Sequence, residues 1–372
     1  MKNIIQIYFL ILTSLIGFSQ SYEFETLTDL EATNVISQDR TGTCWSFSTS
    51  SFLESEIIRL TGERIDLSEM YSVRHTYSKK AWNYVMRQGK TQFGEGGLAH
   101  DVINSISEFG IVPNSVYTGL INEEEKHNHT KMADSIKTIL DVYIKSPSDY
   151  DSNWKEDVED ILDKHLGKDI TTFNYGGIEY TPQSFLEMTT INPKGYITIT
   201  SFSHVPFYSN FILNIPDNFS NGSFYNVPLD EMIEIINHAL ENGFSIELDC
   251  DVSEKTFSSR YGVAVIPEDS SKNNDALTTI QKEKDITQEF RQQEFENFNT
   301  TDDHLMHITG LLIDQNGTKY YKVKNSWGSN SERVSNGGYI YMSEAYMKLK
   351  TISVMIHKDA LTNKLKSKFH LN

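Results

Sequence analysis

The 372 residues carry 51 acidic against 33 basic side chains, a formal net charge of −18, and 38% of them are hydrophobic. A surface of that sign repels phosphate backbones and anionic lipid, which excludes nucleic acid as an expected partner. The apolar and aromatic content is that of a globular chain, long enough for two or three domains or one large body with lobes.

Residues 1–20 start at Lys2 with a short positive end, run apolar from Ile4 to Ile16, and close on the small residues Gly17 and Ser19. That is the form of a secretory signal peptide, too short for a membrane span, so a secreted or periplasmic protein is expected. No other run is apolar enough to span a bilayer. A polar stretch then leads into Gln38-Asp-Arg-Thr-Gly-Thr-Cys44. From Cys44 to Leu60 the residues Trp45, Phe52, Leu53, Ile57 and Leu60 fall near one helical stripe, with Gly62 as the stop. A second helix is predicted over Leu98–Phe109, ended by Gly110, and residues 121–170 are charged and helix-prone.

From Tyr196 the pattern turns β-rich, broken by a helix from Pro228 to Asn242 with Gly243 just past its end. In Ser245–Val252, Ile246, Leu248, Cys250 and Val252 alternate with Glu247, Asp249 and Asp251. This predicts a half-buried strand with Cys250 as an inert thiol on its apolar face. Residues 268–303 are polar and read as a mobile loop with some helix; strands resume in HLMHITGLLID, KYYKVKNSW and GYIYM.

The chemistry points to the other cysteine. Thr43 is a good N-cap, which puts Cys44 in the first turn of a helix, where exposed N–H groups and the macrodipole favour a thiolate. Taken alone, Cys44 fits a small core residue at a helix start equally well. Gln38, six residues earlier in a turn-rich segment, can bring its amide beside the sulfur to donate to an oxyanion. The far end of the chain supplies the partners: His304, and 21 residues later Asn325-Ser-Trp-Gly328. A Cys/His pair needs a third group to fix the imidazole, which Asn325 can do by accepting from it, with Trp327 shielding that bond. His307 is a rival base, but in a strand residues three apart face opposite ways, so both histidines cannot face the cysteine. His127 and His129 read as a solvated loop feature, and no metal-ligand cluster or cofactor motif is found.

The arrangement Q-x5-C-W-x-F-S, a histidine six residues before glycine, and N-S-W-G resembles the papain superfamily. Within it the chain is similar to the bleomycin hydrolase and aminopeptidase C branch (peptidase family C1B). The residues that carry this are Arg40-Thr-Gly-Thr-Cys-Trp-Ser46, Leu67-Ser-Glu-Met-Tyr71, Gly94-Glu-Gly-Gly97, Gly110-Ile-Val-Pro113, Tyr225-Asn-Val-Pro228 and Asp249-Cys-Asp-Val252. The resemblance implies Cys44 as nucleophile, His304 as base then acid, and Asn325 as its orienting group. It also implies an oxyanion hole from Gln38 and the Cys44 N–H, and it selects His304 over His307. Gly96 and Gly97 look like the pair whose backbone binds an extended substrate; standing alone they would read as a plain turn after Phe93.

The fold implied is α+β, a papain-like two-lobe fold with an inserted helical segment. The expected boundaries are 1–20 signal peptide, 21–120 helical lobe with the nucleophile, 121–195 mostly helical insert, 196–358 β-rich lobe with His304 and Asn325, and 359–372 tail. The expected activity is hydrolysis of short peptides, with no cofactor and peptides as the partners; oligomeric state is left open. Relatives owe their aminopeptidase restriction to a C-terminal arm in the cleft, whereas this sequence stops soon after Ala360. An open-cleft endopeptidase, or an inactive peptide-binding protein, is the alternative.

Overall fold

The computed structural model describes residues 21–121 and 125–371; the apolar segment 1–20 lies outside them. A first strand, β1 (Phe24–Asp29), precedes three helices, α1 (Cys44–Thr61), α2 (Glu69–Met86) and α3 (Ala99–Phe109). Next come α4 (Thr130–Lys145) and α5 (Trp154–Leu166), the hairpin β2 (Phe173–Tyr175) and β3 (Ile178–Tyr180), and α6 (Pro182–Met188). The remainder is β4 (Tyr196–Thr200), β5 (Asn210–Ile212), β6 (Ser223–Asn226), α7 (Leu229–Glu241), β7 (Ile246–Cys250), β8 (Phe257–Ser258), β9 (Val263–Ala264), α8 (Asn273–Ala276), α9 (Gln288–Glu296), β10 (His304–Asp314), β11 (Lys319–Lys324), β12 (Tyr339–Ser343), α10 (Glu344–Lys350), β13 (Thr351–His357) and α11 (Asn363–Lys368).

The large sheet runs in the order β5-β6-β4-β13-β7-β10-β11-β12-β9-β8, with β1 paired to the far half of β10. A helical body packs around α1 on one side of it, and α7, α10 and α11 share a second core on the other. Gly310 is required where β1 crosses β10: a Cβ there would strike the Thr28 backbone carbonyl. The α+β, papain-like architecture expected from the motifs is the observed one. No helix among the described residues is long and apolar enough to cross a membrane.

Three local expectations differ from what is observed. The first turns of α1 are not a stripe but buried on every side, from Cys44 to Ile57, because α2, α3 and the sheet enclose them. The serines and threonine in this stretch are tolerated because they bond locally, as when Thr49 Oγ1 donates to the Trp45 carbonyl at 2.7 Å and Ser46 Oγ to that of Glu69 at 2.8 Å. Strand β7 is buried on both faces rather than half-buried, since β13 and β10 flank it and α1 covers the side that carries the acids. Burial raises the Glu247 and Asp249 carboxyls well above their ordinary range. The segment 268–303 is not a loose loop. The fully buried Arg291 of α9 pins it, donating to the Ser201 carbonyl at 2.8 Å and the Lys348 carbonyl at 2.9 Å while lying over the Phe202 ring.

Candidate active site

Cys44 opens α1, although its cap differs from the one expected: the Thr43 side chain caps no N–H and is instead 2.6 Å from Thr41 Oγ1. Trp45, fully buried, fixes the start of the helix. Its Nε1 donates to the Glu95 carbonyl at 3.0 Å, and its ring lies where Gly97 would carry a side chain. The same contacts hold the Gly96–Gly97 segment against Trp45, the neighbour of Cys44. Glu95 adds a second tie, its carboxylate accepting from the Gly42 N–H at 2.6 Å.

On the sheet, His304 begins β10 and Asn325 directly follows β11. The His304 Nε2 donates to Asn325 Oδ1 at 2.8 Å, and that oxygen also accepts from the Ser326 N–H at 2.7 Å. Two donors on one oxygen fix the amide's orientation and place the imidazole proton on Nε2, which leaves Nδ1 as the acceptor. Trp327 covers this bond, its ring 4.9 Å from that of His304 and braced by Phe257 at 5.9 Å. His307 has the opposite parity along β10 and meets α1 further on, at Ser51 Oγ, 2.9 Å from its Nδ1. It is therefore a buried structural histidine.

Three contacts bring the two halves together. The backbone N–H of Leu305, next to His304, bonds to the Cys44 sulfur. The Gln38 N–H donates to the Ser326 carbonyl at 2.9 Å, and Ser326 Oγ donates to Gln38 Oε1 at 2.6 Å. The Gln38 Nε2 spends one N–H on the Thr41 carbonyl at 2.7 Å, so its other N–H is available. Cys44, His304, Asn325, Gln38, Trp327 and the Gly96–Gly97 pair thus gather at one place.

Burial dominates the electrostatics. It pushes the Cys44 thiol up to about 12; the Leu305 N–H opposes this, while Asp217, Asp302 and Asp249 add to it. His304 is pulled down to about 4 by burial, against the bond to Asn325. Burial thus works against the thiolate–imidazolium pair on both sides, and the α1 N-terminus works in its favour. Cys250, opposite His304 in the β7–β10 register, is fully buried with its thiol raised well above the ordinary value, and both cysteines are free. His129 corrects an expectation: it is buried, neither ring nitrogen is hydrogen-bonded among the described residues, and burial pulls it down to about 3. Asp217 and the Leu305 N–H belong to the site's surroundings, yet no motif flags them: one is a loop residue, the other a backbone group.

Comparisons with known proteins bear on the family and the fold. The model of the Peptidase C1-like family matches residues 163–372, more than half of the chain. Aminopeptidase C of Listeria monocytogenes is 22% identical, the alignment covering 96% of this chain and 87% of that protein. Aminopeptidase G of Lactobacillus delbrueckii subsp. lactis is 20% identical over 90% of this chain and 83% of that one. Among solved structures, PepW from Lactobacillus rhamnosis HN001 superposes with a TM-score of 0.72 at 18% identity, covering 93% of this chain and 84% of PepW, which establishes a shared fold. With a cysteine at the start of the buried helix, a histidine and asparagine bonded across the sheet, and the family model spanning the half that carries the latter two, the chain belongs to the Peptidase C1-like family of cysteine hydrolases.

Proposed function

We propose that the protein is a cysteine aminopeptidase that releases N-terminal residues from short peptides through a thioester on Cys44. The observation that carries this reading is the 2.8 Å bond from His304 Nε2 to Asn325 Oδ1, beside a sulfur held by the N–H of Leu305. His304 Nδ1 takes the Cys44 proton as sulfur attacks the scissile carbonyl. The oxyanion receives the free N–H of Gln38 and the backbone N–H of Cys44. His304 then protonates the leaving amine, and water activated by the same nitrogen hydrolyses the thioester. The aminopeptidase character is supported by the relatives named above, and export by the form of residues 1–20.

A second reading, an endopeptidase, is favoured by the tail. Leu361, Leu365 and Phe369 pack into the core around α7, and Lys368 bonds Glu231 at 3.2 Å, so these described residues lie against α7 and β6. Assay of residues 21–372 under reducing conditions on fluorogenic peptides with free and acetylated N-termini decides between the two, with Cys44→Ser alongside. Selective turnover of free-amine substrates that vanishes in the variant supports the aminopeptidase; equal turnover of both makes it an endopeptidase. A lack of Cys44-dependent turnover overturns both readings.

A further inference from the structure

Peptidase chemistry does not explain the carboxylates crowded beside Cys44. Asp217, Asp302 and Asp249 all oppose thiolate formation, so the reaction itself gains nothing from them. Asp217 stands in the loop between β5 and β6, which Asn218 braces by donating to the carbonyls of Leu213 and Gly222, each at 2.9 Å. Its carboxylate rests directly on the α-carbon of Gly96, so that a methyl group there would overlap it. The charge is poorly answered from within the protein. Gln92 Nε2 reaches Asp217 Oδ1 only at 3.4 Å, and the buried Lys80, whose charge favours the Asp217 carboxylate, spends a hydrogen bond on the Gly96 carbonyl, so burial still holds the Asp217 carboxyl above its ordinary range. Asp101 adds a further negative charge.

Behind Asp217 the deficit deepens. The Asp217 N–H donates to Asp302 Oδ2 at 3.4 Å, and Asp302 adjoins Asp249 of β7, which is 1% exposed. The Asp302 and Asp249 carboxyls hydrogen-bond each other, and the Oδ1 atom of each meets no further donor among the described residues. Two buried carboxyls in hydrogen-bond contact share one proton, which leaves one negative charge behind Asp217.

We propose that Asp217, backed by Asp302, is the anchor for the free α-ammonium group of the peptide's N-terminal residue. Because Asp217 covers the α-carbon of Gly96, a substrate strand pairing along Gly97 meets the carboxylate at its next residue. A chain that continues past that point collides with the carboxylate, and a chain that ends there in an ammonium group meets it as a charge-assisted hydrogen bond. This inference rests on the aminopeptidase reading and assigns its selectivity to a loop of the fold.

The test compares wild type, Asp217→Asn and Asp217→Glu on one aminoacyl fluorogenic amide, free and N-acetylated. Loss of the charge should lower kcat/KM for the free amine roughly tenfold to a hundredfold, chiefly through KM, and collapse the free-to-acetyl ratio by a similar factor. Asp217→Glu, which keeps the charge, should retain a preference for the free amine. Thermal melting establishes that Asp217→Asn is folded; if it is not, a loss of free-amine preference in Asp217→Glu overturns the proposal. A folded Asp217→Asn with the wild-type ratio overturns it and leaves the aminopeptidase reading intact. Wild type that accepts acetylated substrate equally well overturns both.

Discussion

His304 can accept the thiol proton only when neutral, and burial holds it at about 4. Protonated below that pH, it is no base, so kcat/KM should fall as pH drops through about 4 and hold up to neutrality, read from a pH–rate profile. The bond from Asn325 raises His304, so Asn325→Ala should move that limb to lower pH. It should also reduce kcat by roughly tenfold to a hundredfold as the imidazole loses its orientation. Gln38→Ala, removing an oxyanion donor, is expected to cost on the order of a hundredfold in kcat with little change in KM. These residues were legible because short sequence patterns carry them: a cysteine after Gly42-Thr43, an Asn-Ser-Trp. Asp217 was not, since its importance comes from a loop folding over Gly96, a contact between positions 121 residues apart. The burial of His129 was equally hidden, because its neighbours come from elsewhere in the chain.

At the scale of elements, periodicity located α3 and α7 to within a residue or so, but the burial of β7 and the anchoring of 268–303, where some helix was expected, were misjudged. The alternation in β7 is real, yet alternation says only that the two faces differ; here the acidic face packs on α1 through Ser48 and Glu247 rather than on water. Polarity misled in 268–303 because one arginine does the fastening. Replacing Arg291 by Ala would take its donor from the Lys348 carbonyl, leave the Ser201 carbonyl with Gln288 Nε2 at 3.5 Å, and open a void over Phe202. The expected loss is about 3 kcal/mol in urea unfolding, with faster amide exchange over 288–296. Gly310 is a comparable pin in β10, and its spacing from His304, noticed as a pattern, has a steric reason in the passage of β1.

For the whole molecule, the lobed α+β architecture was readable because ordered motifs span most of the chain, whereas its internal charge was not. Glu54 and Glu283 are both raised to about 7 by burial. Unfolded, such groups titrate near 4.3, so the folded state holds extra protons between roughly pH 4.3 and 7, and stability falls as pH rises through that window. Glu283→Gln, which resembles the protonated acid, should therefore narrow the drop in melting temperature between pH 5.5 and pH 8 by a few degrees, measured by calorimetry. The buried histidines act in the other sense: His304 and His129, held low, withdraw stability as pH falls below about 6.5.

The nucleophile stands at residue 44 and its base at residue 304, joined by the N–H of Leu305 at the sulfur. During synthesis, Cys44 leaves the ribosome long before its partner exists, as an ordinary thiol in an unfinished helical body. Hydrolytic competence therefore arrives late and all at once, when β10 and β11 close against α1. A nascent chain that stops short of β10 is harmless to its neighbours, and in a population of folding molecules the appearance of activity marks a long-range closure rather than a local one.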